Sequence, residues 1–254
     1  MKISIITAAY NSAETIRDTI ESVLIQTYPD IEYIIVDGLS KDNTVAIVKE
    51  YMPRFNGRML WVSEKDNGMY DAMNKGIRMA TGEVVGIINS DDFYHRNNVI
   101  AEIVKVFEDQ KVEATFADVR FVNPDNLDKT VRYYSSRNFS PKYFRFGFRP
   151  AHPTFFTYKK FFDLFGYYQT DYKIAADYEL LIRFLYIHKL NYFYLPLDVV
   201  KMRTGGASTT SMKSILLINK EIIRGCRENG IYTNLFILFL KYFVKVFELV
   251  FTKE

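Results

Sequence analysis

The sequence predicts an α/β protein with a Rossmann-like, mostly parallel central sheet, flanking helices and a C-terminal helical tail. Three observations carry that expectation. Short Val/Ile-rich runs alternate with amphipathic segments through residues 1–112, the pattern of right-handed strand–helix crossovers. The strand-like runs are apolar almost throughout, as strands covered on both faces are. Acidic and turn-forming residues follow those runs directly, at the edge where open α/β sheets bind ligands.

Taken in order, residues 3–7 read as the first strand and 13–26 as a helix capped by Ser12. Residues 32–36 give a second strand and 44–51 its helix; residues 59–62 give a third strand, followed by a helix over 70–79 closed by Gly82. The run Val84-Val85-Gly86-Ile87-Ile88-Asn89 is the fourth strand, and 99–110 the helix after it. Beyond Ala114 the alternation becomes irregular. Strands are expected at 114–119 and 131–134, a helix over 177–188, strands at 191–195 and 199–203, a loop at Gly205-Gly206 and a helix over 211–228. No repeat or low-complexity linker interrupts the chain.

Composition narrows the function. A chain of 254 residues that is 48% hydrophobic can bury a substantial core, which argues against intrinsic disorder. Lys and Arg (33) barely exceed Asp and Glu (30), which argues against a dedicated nucleic-acid binder. The single cysteine, Cys226, excludes an intramolecular disulfide and a thiolate zinc cluster. The first apolar stretch is too short for a signal peptide, so a cytoplasmic location is expected. Residues 231–251 are rich in Leu, Phe, Val and Tyr. Lys241, Lys245 and Glu248 interrupt them at a spacing that puts all three on one side of a helix. The longest uncharged stretch is too short to span a bilayer. A helix lying on the inner membrane surface fits this pattern, and so does one docked on the protein's own core or on a second subunit.

The most informative stretch is Asn89-Ser90-Asp91-Asp92, where an apolar strand ends in two adjacent carboxylates. Two such groups repel each other unless a cation or a proton joins them. Mg²⁺ and Mn²⁺ take oxygen ligands of this kind together with substrate phosphates. The alternative is a turn that caps the following helix. Three further clusters share that edge. Thr7-Ala8-Ala9-Tyr10-Asn11 offers small side chains that let a base or ribose approach the backbone. Asp37, closing the second strand, can accept from a ribose or a base N–H. Asp66-Asn67-Gly68-Met69-Tyr70-Asp71-Ala72-Met73-Asn74-Lys75-Gly76 combines a tight turn with polar residues on the first turns of a helix. Later, Asp177 opens a helix, either as a first-turn residue favoured by the macrodipole or as a proton acceptor.

This ordered set resembles the family 2 inverting glycosyltransferases of the bacterial surface-polysaccharide type, which have the GT-A fold. The resemblance covers about residues 1–210 and is most specific at Ser90-Asp91-Asp92 and at the stretch from Asp66 to Gly76. It implies a nucleotide-binding half over 1–112 and an acceptor half over 113–210, with 211–254 as appended C-terminal helices for which membrane association is one reading. The donor would be a UDP, GDP or dTDP sugar, with Thr7, Ala9, Asp37, Asp66 and Asn74 on the donor side. Asp92 would hold Mn²⁺ or Mg²⁺, with Asp91 assisting or holding ribose. The family's metal motif often reads Asp-x-Asp, whereas Ser90-Asp91-Asp92 stands here, so either carboxylate can be the direct ligand. Asp177 matches the family's catalytic base, although the acidic neighbour common there is Ala176 in this chain. Arg203, before Gly205-Gly206, resembles the loop that folds over the diphosphate; a plain surface loop reads the same way. His152 either borders the acceptor site or is structural. The implied acceptor is a saccharide or a polyprenyl-diphosphate-linked saccharide. A catalytically weak sugar-nucleotide-binding scaffold of the same fold is the alternative. No G-x-G-x-x-G follows the first strand, which disfavours a dehydrogenase.

Overall fold

A computed structural model describes residues 1–205 and 212–239. Its centre is a nine-stranded mixed sheet in the order Met59–Ser63, Ile31–Asp37, Ile3–Ala9, Val84–Ile87, Phe156–Tyr158, Ala114–Asn123, Tyr192–Arg203, Phe93–Tyr94, with Asn126–Tyr134 paired to Ala114–Asn123. The first half follows the alternation read from the sequence: β1 (Ile3–Ala9), α1 (Ile16–Leu24), β2 (Ile31–Asp37), α2 (Thr44–Tyr51), β3 (Met59–Ser63), α3 (Met69–Met79), β4 (Val84–Ile87), β5 (Phe93–Tyr94) and α4 (Val99–Gln110). β1, β2, β3 and β4 are mutually parallel, so their carboxyl ends and the loops that follow share one edge. Side chains alternate between two cores. Ile3 and Ile5 join Ile16, Ile20, Val48 and Ile103 on the face covered by α1, α2 and α4. Ile6, Ile34 and Val36 join Tyr70, Met73 and Ile77 of α3 on the other.

The second half comprises β6 (Ala114–Asn123), β7 (Asn126–Tyr134), β8 (Phe156–Tyr158), α5 (Lys160–Phe165), α6 (Ala176–Leu181), β9 (Tyr192–Arg203) and α7 (Met212–Glu228). It departs from the sequence reading in instructive ways. The strands expected at 191–195 and 199–203 are one strand, β9, which bends past Pro196 where its register with β6 shifts. The helix expected over 177–188 is α-helical only through Leu181 and then widens into a π-helical turn at Ile182–Ile187. β8 is antiparallel to both β4 and β6, and it is too short to leave a periodic signal. α7, expected as an appendage, packs into the main body: Ile222 and Cys226 share a core with Phe144 and Tyr178. Ile231 and Leu238 reach the same core. The charged stripe of the tail, Lys241, Lys245 and Glu248, lies outside the described residues, as does the loop after Gly205. Among the described residues no helix is long and apolar enough to cross a membrane.

A polar knot closes the opposite edge of the sheet. Buried Glu32 accepts from the Ser4 hydroxyl at 2.6 Å, from the Thr81 amide and hydroxyl at 2.8 and 2.7 Å, and from the Lys2 ammonium at 3.0 Å. Burial alone would push this carboxyl up, but those donors outweigh it and hold it down at about 2. A depressed folded pKa contributes stability above the unfolded value, and that stability is lost as pH falls through the folded one. Between about pH 4.5 and 2 the protein should therefore lose about 2 kcal/mol here, once solvent screening is allowed for. Urea unfolding across that range should show the loss in wild type and a flatter profile in Glu32→Gln. Equal profiles would mean that the knot is not a source of acid sensitivity.

Candidate active site

Three loops at the carboxyl edge interlock through backbone donors. Beyond β1, the Asn11 amide donates to the Ser40 hydroxyl at 2.8 Å, and the Asn11 side chain accepts from the Lys41 amide at 2.8 Å. The Ser12 amide donates to Thr44 Oγ1 at 2.8 Å. Ala9, at the end of β1, is buried and accepts from the Gly38 amide through its carbonyl at 2.9 Å. Asp37 is buried and accepts from the Ser40 amide at 3.0 Å, from the Ser40 hydroxyl, and from the Ser63 hydroxyl at 2.6 Å. Asp66 lies across Gly38, where a Cβ would collide with its carboxylate oxygen, so any side chain there would displace the Asp66 carboxylate. The structure thus brings Ala9, Asp37 and Asp66 together, with exposed Tyr10 and Leu39 close to them in sequence.

The Asp91-Asp92 turn is gripped from α1 and the residues just before it. Ser12 Oγ lies 2.8 Å from Ser90 Oγ, Thr15 Oγ1 donates to the Ser90 carbonyl at 2.9 Å, and Thr19 Oγ1 donates to the Asp92 carbonyl at 2.7 Å. Ser12, expected to cap α1, lies ahead of the N-cap position held by Thr15, and its hydroxyl meets Ser90 instead. Asp92 is buried and accepts from the Asn89 amide nitrogen at 2.8 Å. Burial first, and the adjacent Asp91 carboxylate second, push Asp92 well above the usual carboxylate range. Burial likewise raises half-buried Asp91, with Arg203 pulling it back down. Arg203 donates to the Asp91 carbonyl and pairs with Asp18 of α1, its guanidinium 5.2 Å above the Phe93 ring. In this arrangement Arg203 braces the Asp91-Asp92 turn.

Among the described residues no group of three His, Cys, Asp or Glu side chains converges as a metal cage. The Asp91-Asp92 pair nevertheless fits a hard dication. It supplies two carboxylates whose mutual repulsion a cation would relieve, and the remaining coordination positions would fall to diphosphate oxygens.

The second cluster surrounds Asp177, the second residue of α6. One carboxylate oxygen accepts from the Tyr178 amide at 2.8 Å, and the other is 3.1 Å from Arg149 Nη2. The Tyr70 hydroxyl of α3 donates to the Ile174 carbonyl at 2.6 Å, which ties this cluster to the helix that starts at the carboxyl edge after β3. A tenth of the Asp177 side chain stays open to solvent. Neither Arg149 nor Tyr70 was singled out from sequence. Arg149 ends the basic-aromatic stretch 142–149, and Tyr70 sits inside the motif from Asp66 to Gly76.

Three residues expected at the site are turned inward. Thr7 is fully buried between Tyr33, 3.1 Å away, and the Ile88 carbonyl, to which it donates at 2.9 Å; as the hydroxyl of an interior strand position it must find partners within the sheet. Asn74 donates to the Tyr168 carbonyl at 2.8 Å and accepts from the Tyr168 amide at 2.9 Å. Its amide is therefore used in tying α3 to the loop before α6, and the donor-side role does not fit its position. His152 is buried, with Nε2 2.6 Å from the Tyr168 hydroxyl, and burial pushes it down to about 4. It is neutral at pH 7 and, rather than lining an open acceptor surface, holds Tyr168, whose ring stacks on that of Tyr70 at 5.7 Å between centroids.

Comparison with known proteins gives a consistent picture. The model of glycosyl transferase family 2 matches residues 4–165. An uncharacterized glycosyltransferase of Mycobacterium tuberculosis is 31% identical over 183 residues, covering 71% of this chain and 68% of that one. A PGL/p-HBAD biosynthesis glycosyltransferase of Mycobacterium bovis is 26% identical over 223 residues, 87% of this chain and 82% of the other. Among solved structures, S. aureus TarS superposes with a TM-score of 0.66 at 20% identity; the match covers 88% of this chain but only 40% of TarS. Its 1–349 fragment in complex with UDP-GlcNAc gives a TM-score of 0.68 at 19% identity, covering 88% and 67% of the two chains. Mannosyltransferase PcManGT from Pyrobaculum calidifontis, in complex with GDP-Man and Mn²⁺, gives 0.67 at 19% identity, covering 89% and 63%.

Proposed function

Because the chain belongs to glycosyl transferase family 2, we propose that it moves a hexose from a nucleoside-diphosphate sugar to a saccharide or lipid-linked saccharide hydroxyl, with inversion, in surface-polysaccharide assembly. The observation that carries this reading is the pairing of two carboxylate sites. Asp91 and Asp92 follow the end of β4, and Asp177 is anchored through Ile174 to α3, the helix that precedes β4. Asp37 and Asp66, backed by Ala9 and flanked by Tyr10 and Leu39, receive the nucleoside. A divalent cation held by Asp92 and Asp91 would offset the charge that develops on the leaving diphosphate. Arg203 keeps the turn that carries those two groups in place.

On the acceptor side Asp177 takes the proton as the hydroxyl oxygen attacks the anomeric carbon. The C–O bond to the diphosphate breaks on the opposite face, and no covalent intermediate forms. Arg149, at 3.1 Å, fixes the carboxylate and stays beside it through the proton transfer. The relatives named above include proteins in complex with UDP-GlcNAc and with GDP-Man, so both nucleotide types are candidates here.

The first test is calorimetric titration with UDP, GDP, CDP and dTDP, each with Mn²⁺ and with EDTA. One nucleotide should bind at least about tenfold more tightly with the metal, a difference of about 1.4 kcal/mol. Absence of binding by all four, with and without metal, would remove the transferase reading's main support and leave the aspartates a structural role.

A further inference from the structure

We propose that Glu221, on α7, is a positioning residue for Asp177, so that α7 acts as a latch on the catalytic segment; this rests on Asp177 being the base. Three consecutive backbone amides just before α6 lack partners within any helix or strand. All three donate to the Glu221 carboxylate: Lys173 to Oε1 at 2.8 Å, and Ile174 and Ala175 to Oε2 at 2.9 Å each. Glu221 is 6% exposed. These amides belong to the residues that lead into α6, the last of them its N-cap residue Ala175. A carboxylate from a distant helix satisfies all three through charge-assisted bonds.

The same segment is pinned from the other side by the Tyr70 hydroxyl on the Ile174 carbonyl. Residue 174 is thus clamped between α3 and α7, and Asp177 follows three positions later, where a small shift of the backbone displaces its carboxylate. The grip extends along one face of α7. Arg224 pairs with Asp171, and Glu228 accepts from the Tyr172 hydroxyl at 2.6 Å. Glu221, Arg224 and Glu228 are spaced i, i+3 and i+7, so one helical stripe is committed to residues 171–175. Gly225 lies in that stripe, and a Cβ there would already touch Glu179 and the Tyr172 hydroxyl at 3.4 and 3.5 Å. A helix whose task was only to cover apolar surface would need an apolar face at these positions. Instead it presents polar groups, all bonded to the backbone or side chains that lead into Asp177.

The test compares the full wild-type chain with Glu221→Gln and Glu221→Ala, well below their melting temperatures. Amide hydrogen exchange over residues 171–178 should speed up by about tenfold or more in Glu221→Ala and less in Glu221→Gln, which keeps one acceptor oxygen. Donor hydrolysis with Mn²⁺ is followed using UDP-GlcNAc and GDP-mannose, water being the hydroxyl that Asp177 deprotonates. Its kcat should fall about 30-fold in Glu221→Ala and about fivefold in Glu221→Gln, while donor affinity changes by less than about twofold. Unchanged exchange, or kcat and donor affinity falling together, would overturn the proposal. Asp177→Asn is run alongside. If that variant turns over normally the base assignment fails, whereas the exchange data still show whether Glu221 orders the segment. Should Glu221→Ala not fold, Glu221→Gln carries both readouts.

Discussion

Asp177→Asn is expected to lower sugar transfer by about 10³-fold or more while leaving donor affinity within about threefold. The substitution is nearly isosteric. Asparagine keeps an oxygen for the Tyr178 amide at 2.8 Å, so the first turn of α6 should retain its geometry. What disappears is the group that accepts the proton, together with the ionic partner of Arg149 at 3.1 Å. Leaving half-buried Arg149 unpaired costs some stability, so the melting temperature must be measured with the rate. Single-turnover transfer and calorimetry together make the check. Turnover within tenfold of wild type would remove Asp177 from the chemistry, whatever the stability change.

The second large effect is expected at the end of β4. Asp92→Asn should abolish most of the metal-dependent gain in nucleotide affinity, about 30-fold or more, and Asp91→Asn a smaller part. The two positions differ because Asp92 is buried and already raised by Asp91, whereas Asp91 is half-buried and its backbone carbonyl is held by Arg203. The same variant should be more stable than wild type in the absence of metal. The raised pKa of Asp92 means that folding at neutral pH works against its charge, and a neutral amide accepting from Asn89 removes that cost. Opposite signs for stability and for binding are the signature of a site whose strain serves a ligand. If Asp91→Asn and Asp92→Asn combined leave Mn²⁺-dependent binding intact, the pair is a turn and nothing more.

Much of the first half was legible in the sequence. The spans of α2 and α4 coincide with those read from periodicity, and β1 to β4 differ from expectation by a few residues at their ends. Hydrophobic period reports local geometry well where each strand is followed at once by the helix that covers it. Legibility faded after residue 114, where β8 pairs antiparallel with two strands that are distant in the chain. A three-residue strand held by partners from elsewhere carries too little pattern to be seen. Site residues followed the same rule. Asp91 and Asp92 stand out in the sequence because a strand end marks itself, and Asp177 through the family resemblance together with its place at a helix start; their roles are proposals. Arg149, Tyr70 and the α1 hydroxyls were missed because their roles depend on neighbours far away in sequence.

By itself, then, the sequence determined the α/β class, the edge at which loops gather and the carboxylates placed there, because apolar period and turn chemistry act over a few residues. Only the tertiary structure decided what each polar group bonds to. Thr7 meets Ile88 across 81 positions, Asn74 meets Tyr168 across 94, and Arg203 meets Asp91 across 112. A hydroxyl or amide at a strand end reads identically whether it faces a ligand or another segment. Which of the two it faces is set by how the two apolar cores bring separate stretches together, and that is a property of the packed molecule.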